Sequence, residues 1–308
     1  MTGLTAMPHR IASDWMFMHS IRHHRSQLGW RDAPRYSKHW EHCRKTGVMQ
    51  VRDDSAIKAA AERFSRDGVT ELWTPESGNV ARAIADQLKA REAEGETLWL
   101  DNPAQTGSNR YAGNFWLDFP ELEALFRNTL GDFLALYFGS SFKIWFALLY
   151  RSQLQNDRPT GSQRWHSDSG PGSCVNVMFY IQDMEQVHGP LAALPWPQCL
   201  EVLAGERAAV SDSAADERDP FGRLYDYCEK EITDHFSSRV VRPTGPAGLI
   251  VPFLNSTIHR GGYPEAGHAH TAIVFHCYPF DGATPFERYR EIGVEKRGSY
   301  PTDPAENF

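Results

Sequence analysis

Residues 164–170 read Arg164-Trp165-His166-Ser167-Asp168-Ser169-Gly170. In an extended segment, residues two apart point the same way. His166 and Asp168 can therefore aim an imidazole and a carboxylate at one ion, while Trp165 alternates away toward packing. One more histidine from a distant strand completes a facial triad. Such a triad leaves coordination positions open for oxygen and a co-substrate, the geometry of non-haem Fe(II) oxygenases. The best partner lies in Asn255-Ser256-Thr257-Ile258-His259-Arg260-Gly261-Gly262. His259 follows an apolar run and precedes a glycine turn, so it stands at the end of an element. A lone HxD spacing carries little information. The joint order of strand, HxD, strand and distant His-Arg-Gly-Gly carries more.

Outward from this stretch the flanks are β-like. Phe142 to Tyr150, Val175 to Ile181, Leu249 to Phe253 and Thr271 to Tyr278 are rich in β-branched and aromatic residues. Turn signals separate them at Gly170-Pro171-Gly172, Gly189-Pro190, Pro243 to Gly248 and Gly261-Gly262. The N-terminal half is helical. Ile57, Ala60, Ala61 and Phe64 recur at helical spacing from Ser55, and Gly68 ends that run. Val69 to Trp73 reads as a short strand. Further helices fit Glu76 to Arg91 and Pro120 to Tyr137. Helices first and short strands later predict an α+β chain with a jelly-roll core over about 140–280 and helices buttressing it. The polar stretch Ala204 to Arg218 reads as a loop suited to a lid.

Residues 1–50 form an N-terminal arm, and 51–308 a single domain. The arm holds eight Lys/Arg, three Asp/Glu and six of the thirteen histidines, with Trp15, Phe17, Trp30 and Trp40 interleaved. It either touches a substrate, partner or second subunit, or packs its aromatics on the core; the second reading is favoured. Its histidines lack regular ligand spacing. A net charge of −7 argues against nucleic-acid binding. No apolar run reaches membrane-spanning length, and no signal pattern opens the chain. Five cysteines without CxxC spacing fit a reducing compartment, so a cytoplasmic location is expected.

From about Ala59 to Pro279 the sequence resembles the phytanoyl-CoA dioxygenase-like branch of the Fe(II)/2-oxoglutarate oxygenases. The resemblance rests on Arg63-Phe64-Ser65-Arg66-Asp67-Gly68-Val69 and Gln163-Arg164-Trp165-His166-Ser167-Asp168. It continues in Val177-Met178-Phe179-Tyr180-Ile181-Gln182-Asp183 with His188-Gly189-Pro190-Leu191, and in Gly248 to Phe253 leading to His259-Arg260-Gly261-Gly262. It implies a cupin-like double-stranded β-helix holding Fe(II) and 2-oxoglutarate at His166, Asp168 and His259. It implies oxidation, chiefly hydroxylation, of a small organic substrate by O2, with release of succinate and CO2. A homo-oligomer is compatible with this.

One position departs from the family. Members carry an arginine about ten or eleven residues after the second metal histidine, forming a fork with the far carboxylate of 2-oxoglutarate. Here that segment reads Gly267-His268-Ala269-His270-Thr271-Ala272. Three readings follow. His270, with Thr271, binds the carboxylate as an imidazolium. Alternatively Arg151, Arg164 or Arg260 reaches in from another strand. Or the enzyme is a metal-dependent jelly-roll enzyme that uses no 2-oxoglutarate. A ligand-binding relic without turnover is a fourth, from another class. Gln163 and Asn176 are polar residues suited to the near carboxylate or a substrate hydroxyl. His276 shares a strand face with His270. A carboxylate at 168 occupies the position a halide would need, so oxygenation is expected and halogenation is not.

Overall fold

The computed structural model describes residues 33–47, 51–100, 108–153, 161–166, 174–202, 227–255 and 257–282. Asp168, the Ala204–Arg218 stretch and the arm up to residue 32 lie outside the described residues.

Helices come first. α1 spans Ala33–Thr46, α2 Ser55–Asp67 and α3 Pro75–Ala93. Trp40 of α1 is buried, and its indole N–H donates to the Phe138 carbonyl at 2.7 Å. Asp54, one residue before Ser55, caps α2 by accepting from the Ala56 and Ile57 amides. Gly68 ends α2 at φ 68°, in the left-handed region where glycine carries no Cβ penalty. Thr74 and Ser77 cap α3 reciprocally, with Pro75 in its first turn. The helix expected from Pro120 to Tyr137 is broken. α4 spans Phe115–Asp118, α5 Leu122–Arg127 and α6 Thr129–Phe138, the last two parted at Asn128 with φ −129° and ψ −111°. Phe64 packs edge-on against Phe133 and Tyr137, with centroids 5.3 and 4.8 Å away. Burying a phenylalanine this completely stabilises by roughly 2–3 kcal/mol.

The strands are β1 Trp99–Leu100, β2 Ser108–Tyr111, β3 Ser141–Gln153, β4 Val175–Tyr180, β5 Ala192–Ala193, β6 Ile250–Leu254, β7 His259–Arg260 and β8 Ala269–Phe280. The large antiparallel sheet runs β1-β2-β3-β8-β4-β6. Facing it is a smaller set. Val241 bridges Ala193, β5 pairs with β7, and His259 of β7 bridges His166. The chain thus visits the large sheet at β3, the small one at His166, the large at β4 and the small at β5 and Val241. It returns to the large sheet at β6, the small at β7 and the large at β8. The eight segments therefore order as 1-8-3-6 in one sheet and 5-4-7-2 in the other. This is the double-stranded β-helix, a jelly roll. The stretch Val69 to Trp73, expected as a strand, makes only isolated bridges from Val69 to Phe253 and Leu72 to Ile250.

Alternation sorts the side chains into two layers. Ile273, Phe275 and Cys277 of β8 face outward with Val177 and Phe179 of β4, against the helices. Phe275 lies 4.8 Å from Phe126 and 5.8 Å from Trp116. Met178, Tyr180, Val251, Phe253 and Ala272 belong to a second cluster, inside the roll, joined by Tyr150 and Val274. No helix among the described residues is long and apolar enough to cross a membrane.

Candidate active site

His166 and His259 are brought together by backbone pairing. The His166 amide donates to the His259 carbonyl at 2.9 Å, and the His259 amide donates back at 2.8 Å. Directly opposed residues on antiparallel strands project to one face. The two imidazole centroids are accordingly 4.5 Å apart. His259 is buried and has Phe253 beside it, at 4.7 Å, on the interior side.

Each ring is also oriented. His166 Nδ1 lies 2.7 Å from the Arg164 carbonyl oxygen, and His259 Nδ1 lies 2.7 Å from that of Thr257. A carbonyl only accepts, so both Nδ1 atoms must carry the proton. In the neutral form of each ring, Nε2 then carries the lone pair. Metal-bound histidines are held in this way, with the second nitrogen donating to a carbonyl or carboxylate. The donor set of this bridge fits a divalent first-row metal. Among the described residues no group of three His, Cys, Asp or Glu stands together as a complete set. The third predicted ligand, Asp168, follows His166 by two positions and lies outside those residues.

The other expected residues divide between the interior and the outside. Asn176 is buried on the β4 face that carries Met178 and Tyr180. Gln163 is buried at the end of a short 3-10 turn beside the bridge, where the Ser162 carbonyl accepts from the Gly261 amide at 2.6 Å. His270 and His276 share the interior face of β8 with Ala272 and Val274.

Thr271 requires a correction. It pairs with Arg151 across β3 and β8, and its hydroxyl lies 3.4 Å from Arg151 Nε on the outer face. Adjacent residues on a strand point to opposite sides, so Thr271 cannot accompany His270 inside. Arg151 is likewise turned out, stacked 4.3 Å from the Trp99 ring and paired with Glu92 at 2.7 Å. Arg260 is corrected for the same reason. It follows His259 on β7 and lies outside, 4.7 Å over the Trp165 ring and 3.4 Å from Glu229. Burial lowers its pKa, while Trp165 beneath it is almost fully buried. We expect Arg260→Ala to cost about 1 kcal/mol or less of stability, as a half-exposed ion pair and cation–π contact. Equilibrium binding to the purified variant should leave 2-oxoglutarate affinity within about twofold of wild type, since an outward guanidinium does not meet an interior ligand.

His270 is buried, and its Nδ1 lies 2.7 Å from the His188 carbonyl oxygen. Tyr150 and Tyr180 cross its ring nearly at right angles, with centroids 5.9 and 5.8 Å away. Burial, against the opposing pull of the His188 carbonyl, holds its pKa down to about 4. His270 is therefore neutral in the ligand-free protein. The sign of its effect on stability follows. Below its ordinary pKa near 6.5 the unfolded chain takes up a proton that the folded chain refuses. Stability is intact above that value and is lost as pH falls toward 4, by roughly 2–3 kcal/mol at pH ~4.5. Urea unfolding at about pH 7 and 4.5 should show this loss, and His270→Gln should abolish most of it.

The backbone carbonyls of Thr257, Arg164 and His188 were invisible to motif reading, because any residue supplies a carbonyl. No family model matches the chain. Over 150 residues it is 24% identical to L-proline trans-4-hydroxylase of Streptomyces griseoviridis, covering 46% of this chain and 54% of that protein. The chain thus spans about half the length of the curated relative it matches. By these residues and this fold, the chain resembles the 2-oxoglutarate-dependent oxygenases. Among solved structures, the epimerase SnoN in complex with Fe3+, alpha-ketoglutarate and nogalamycin RO is 16% identical, with a TM-score of 0.48, over 76% of this chain and 94% of that one. EctD from S. alaskensis with bound Fe is 16% identical, with a TM-score of 0.49, over 78% and 84%. At such scores the fold rests on the strand order given above.

Proposed function

We propose that the protein is an Fe(II)- and 2-oxoglutarate-dependent dioxygenase in which His166, Asp168 and His259 hold the iron. The observation that supports this most is the His166–His259 bridge, with both tautomers fixed so that two Nε2 lone pairs share one face. Bound ferrous iron and 2-oxoglutarate would supply the oxidant that places an oxygen atom from O2 on a carbon of the substrate, with succinate and CO2 released.

The chain's own residues prepare that chemistry. The Arg164 and Thr257 carbonyls hold the imidazoles in the ligating tautomer, so no rotation is needed when metal arrives. Met178, Val251, Phe253 and Val274 keep the interior apolar and exclude water. Asn176, Gln163 and His276 supply polar contacts near the bridge. The substrate is a small organic molecule, as for the relatives whose names mention proline and nogalamycin. None of the five cysteines forms a disulfide and all are buried, which supports a reducing, cytoplasmic setting.

A second reading, a jelly-roll metalloenzyme without 2-oxoglutarate, is favoured by one observation: where the family places an arginine, His270 is neutral. Anaerobic addition of Fe(II) followed by 2-oxoglutarate separates the two. A visible charge-transfer band requiring both supports the lead reading. Iron binding with no response to 2-oxoglutarate supports the second.

A further inference from the structure

The inner end of the roll presents a mismatch between what a carboxylate needs and what the resting protein offers. A buried carboxylate needs hydrogen-bond donors, best a cation. The His188 carbonyl takes the only proton of neutral His270, so Nε2 is an acceptor. Two of the three arginines considered above, Arg151 on β3 and Arg260 on β7, face outward to glutamates. The phenols flanking the imidazole do not substitute for them. Tyr150 donates its hydroxyl proton to Met178 Sδ at 3.1 Å, and the Tyr180 hydroxyl accepts from the Leu191 amide at 2.8 Å.

Accepting the dioxygenase reading above, we propose that His270 holds the far carboxylate of 2-oxoglutarate as an imidazolium that forms on binding, so that each co-substrate molecule enters together with one proton from solvent. The proton goes to Nε2, the one nitrogen still able to take it, and no other bond is made or broken. Nδ1–H stays on the His188 carbonyl throughout, so the ring keeps its orientation in both charge states.

Among the described residues, the groups facing His270 leave this proton to its imidazole. Burial keeps Tyr150 from β3 and Tyr180 from β4 as neutral phenols, their pKa values pushed well above the usual tyrosine range. On the turn after β4, His188 offers its carbonyl, while its ring nitrogen Nδ1 accepts from the Glu185 amide at 3.0 Å and its ring meets that of His268 edge-on, with centroids 5.5 Å apart. Ser152 opposite on β3 does not titrate. Among the described residues, no carboxylate is one of the groups that set the resting ionisation of His270. An arriving carboxylate is thus the first anion to favour its charged form, and it raises the pKa through a short charge-assisted contact.

Isothermal titration of anaerobic, Fe(II)-loaded protein with 2-oxoglutarate tests this. Runs at about pH 7 in two buffers of different ionisation enthalpy count the protons taken up. We expect close to one proton in wild type, with affinity falling about tenfold per pH unit between roughly pH 5 and 7. In His270→Arg, a permanent cation should bind 2-oxoglutarate with near-zero uptake and a flat pH profile. In His270→Gln, binding should be weaker and also flat. Near-zero uptake in wild type overturns the inference alone, whether or not either variant folds. So does an uptake near one that persists in His270→Arg or His270→Gln. Iron-loaded protein that binds no 2-oxoglutarate from pH ~5 to 8 overturns the dioxygenase reading and the inference together.

Discussion

His259→Ala is expected to abolish the charge-transfer band that forms with Fe(II) and 2-oxoglutarate, and to weaken iron binding by at least about a hundredfold. Removing a partner that merely orients a metal-bound histidine costs about ten- to a hundredfold in affinity, so removing a ligand costs at least the upper value. The fold should survive the change. The hydrogen bonds that join residue 259 to His166 are made by backbone atoms, and alanine keeps both. The substitution removes a buried imidazole next to Phe253, which predicts a modest loss of stability from the cavity. Iron affinity measured anaerobically beside a urea unfolding curve separates the two effects. Unchanged iron binding would remove His259 from the site. His166→Ala should behave alike, because its ring is fixed in the same manner.

The second large effect is structural. Gly262→Ala should destabilise the protein by about 3 kcal/mol or more. A Cβ at 262 would overlap the carbonyl oxygen of Gly189 and crowd that of Pro190, and backbone cannot swing aside as a long side chain can. Gly262 is not among the glycines with positive φ, so the cost argued here is one of close approach. Gly189 is bound from the other side, with φ 66° and with Tyr263 and Pro264 against its face. Gly267 makes a useful contrast. It has φ 82° but nothing within 4 Å of its would-be Cβ, so Gly267→Ala should cost only the left-handed penalty of roughly 1–2 kcal/mol. Urea midpoints for the two variants should fall in that order. Equal losses would mean that the two turns are not in forced contact.

Much of this was legible in the chain. The pairing of His166 with His259 was anticipated from residue type and setting, and the structure brings the two imidazoles together. β4, β6 and β8 could be found because strands buried on both faces read as apolar runs. The small sheet could not. β5 is two residues long, and Val241 joins through a single bridge, so neither has a periodicity to detect. Asn128 interrupts a helical stripe whose apolar spacing continues through the break, which pattern reading cannot register. Placing Thr271 beside His270 conflicted with strand alternation, a rule available from sequence alone. The Arg260 expectation failed similarly, since an inward His259 obliges its neighbour to turn out. What pins His270 is the peptide carbonyl of His188, which carries no residue-specific signature.

The reciprocal hydrogen bonds between His166 and His259 also bear on how the molecule assembles. These are the bonds that seat the second and seventh strand segments of the roll beside each other, from parts of the chain far apart in sequence. Loop closure over such a separation gains nothing until neighbouring strands are in place. The imidazole pair therefore exists only in a chain whose roll has closed, and a half-folded chain offers no such pair to iron. On the iron-binding role proposed above, metal would bind only the closed roll, and the amide protons of residues 166 and 259 should be among those whose exchange with solvent slows most when iron is bound.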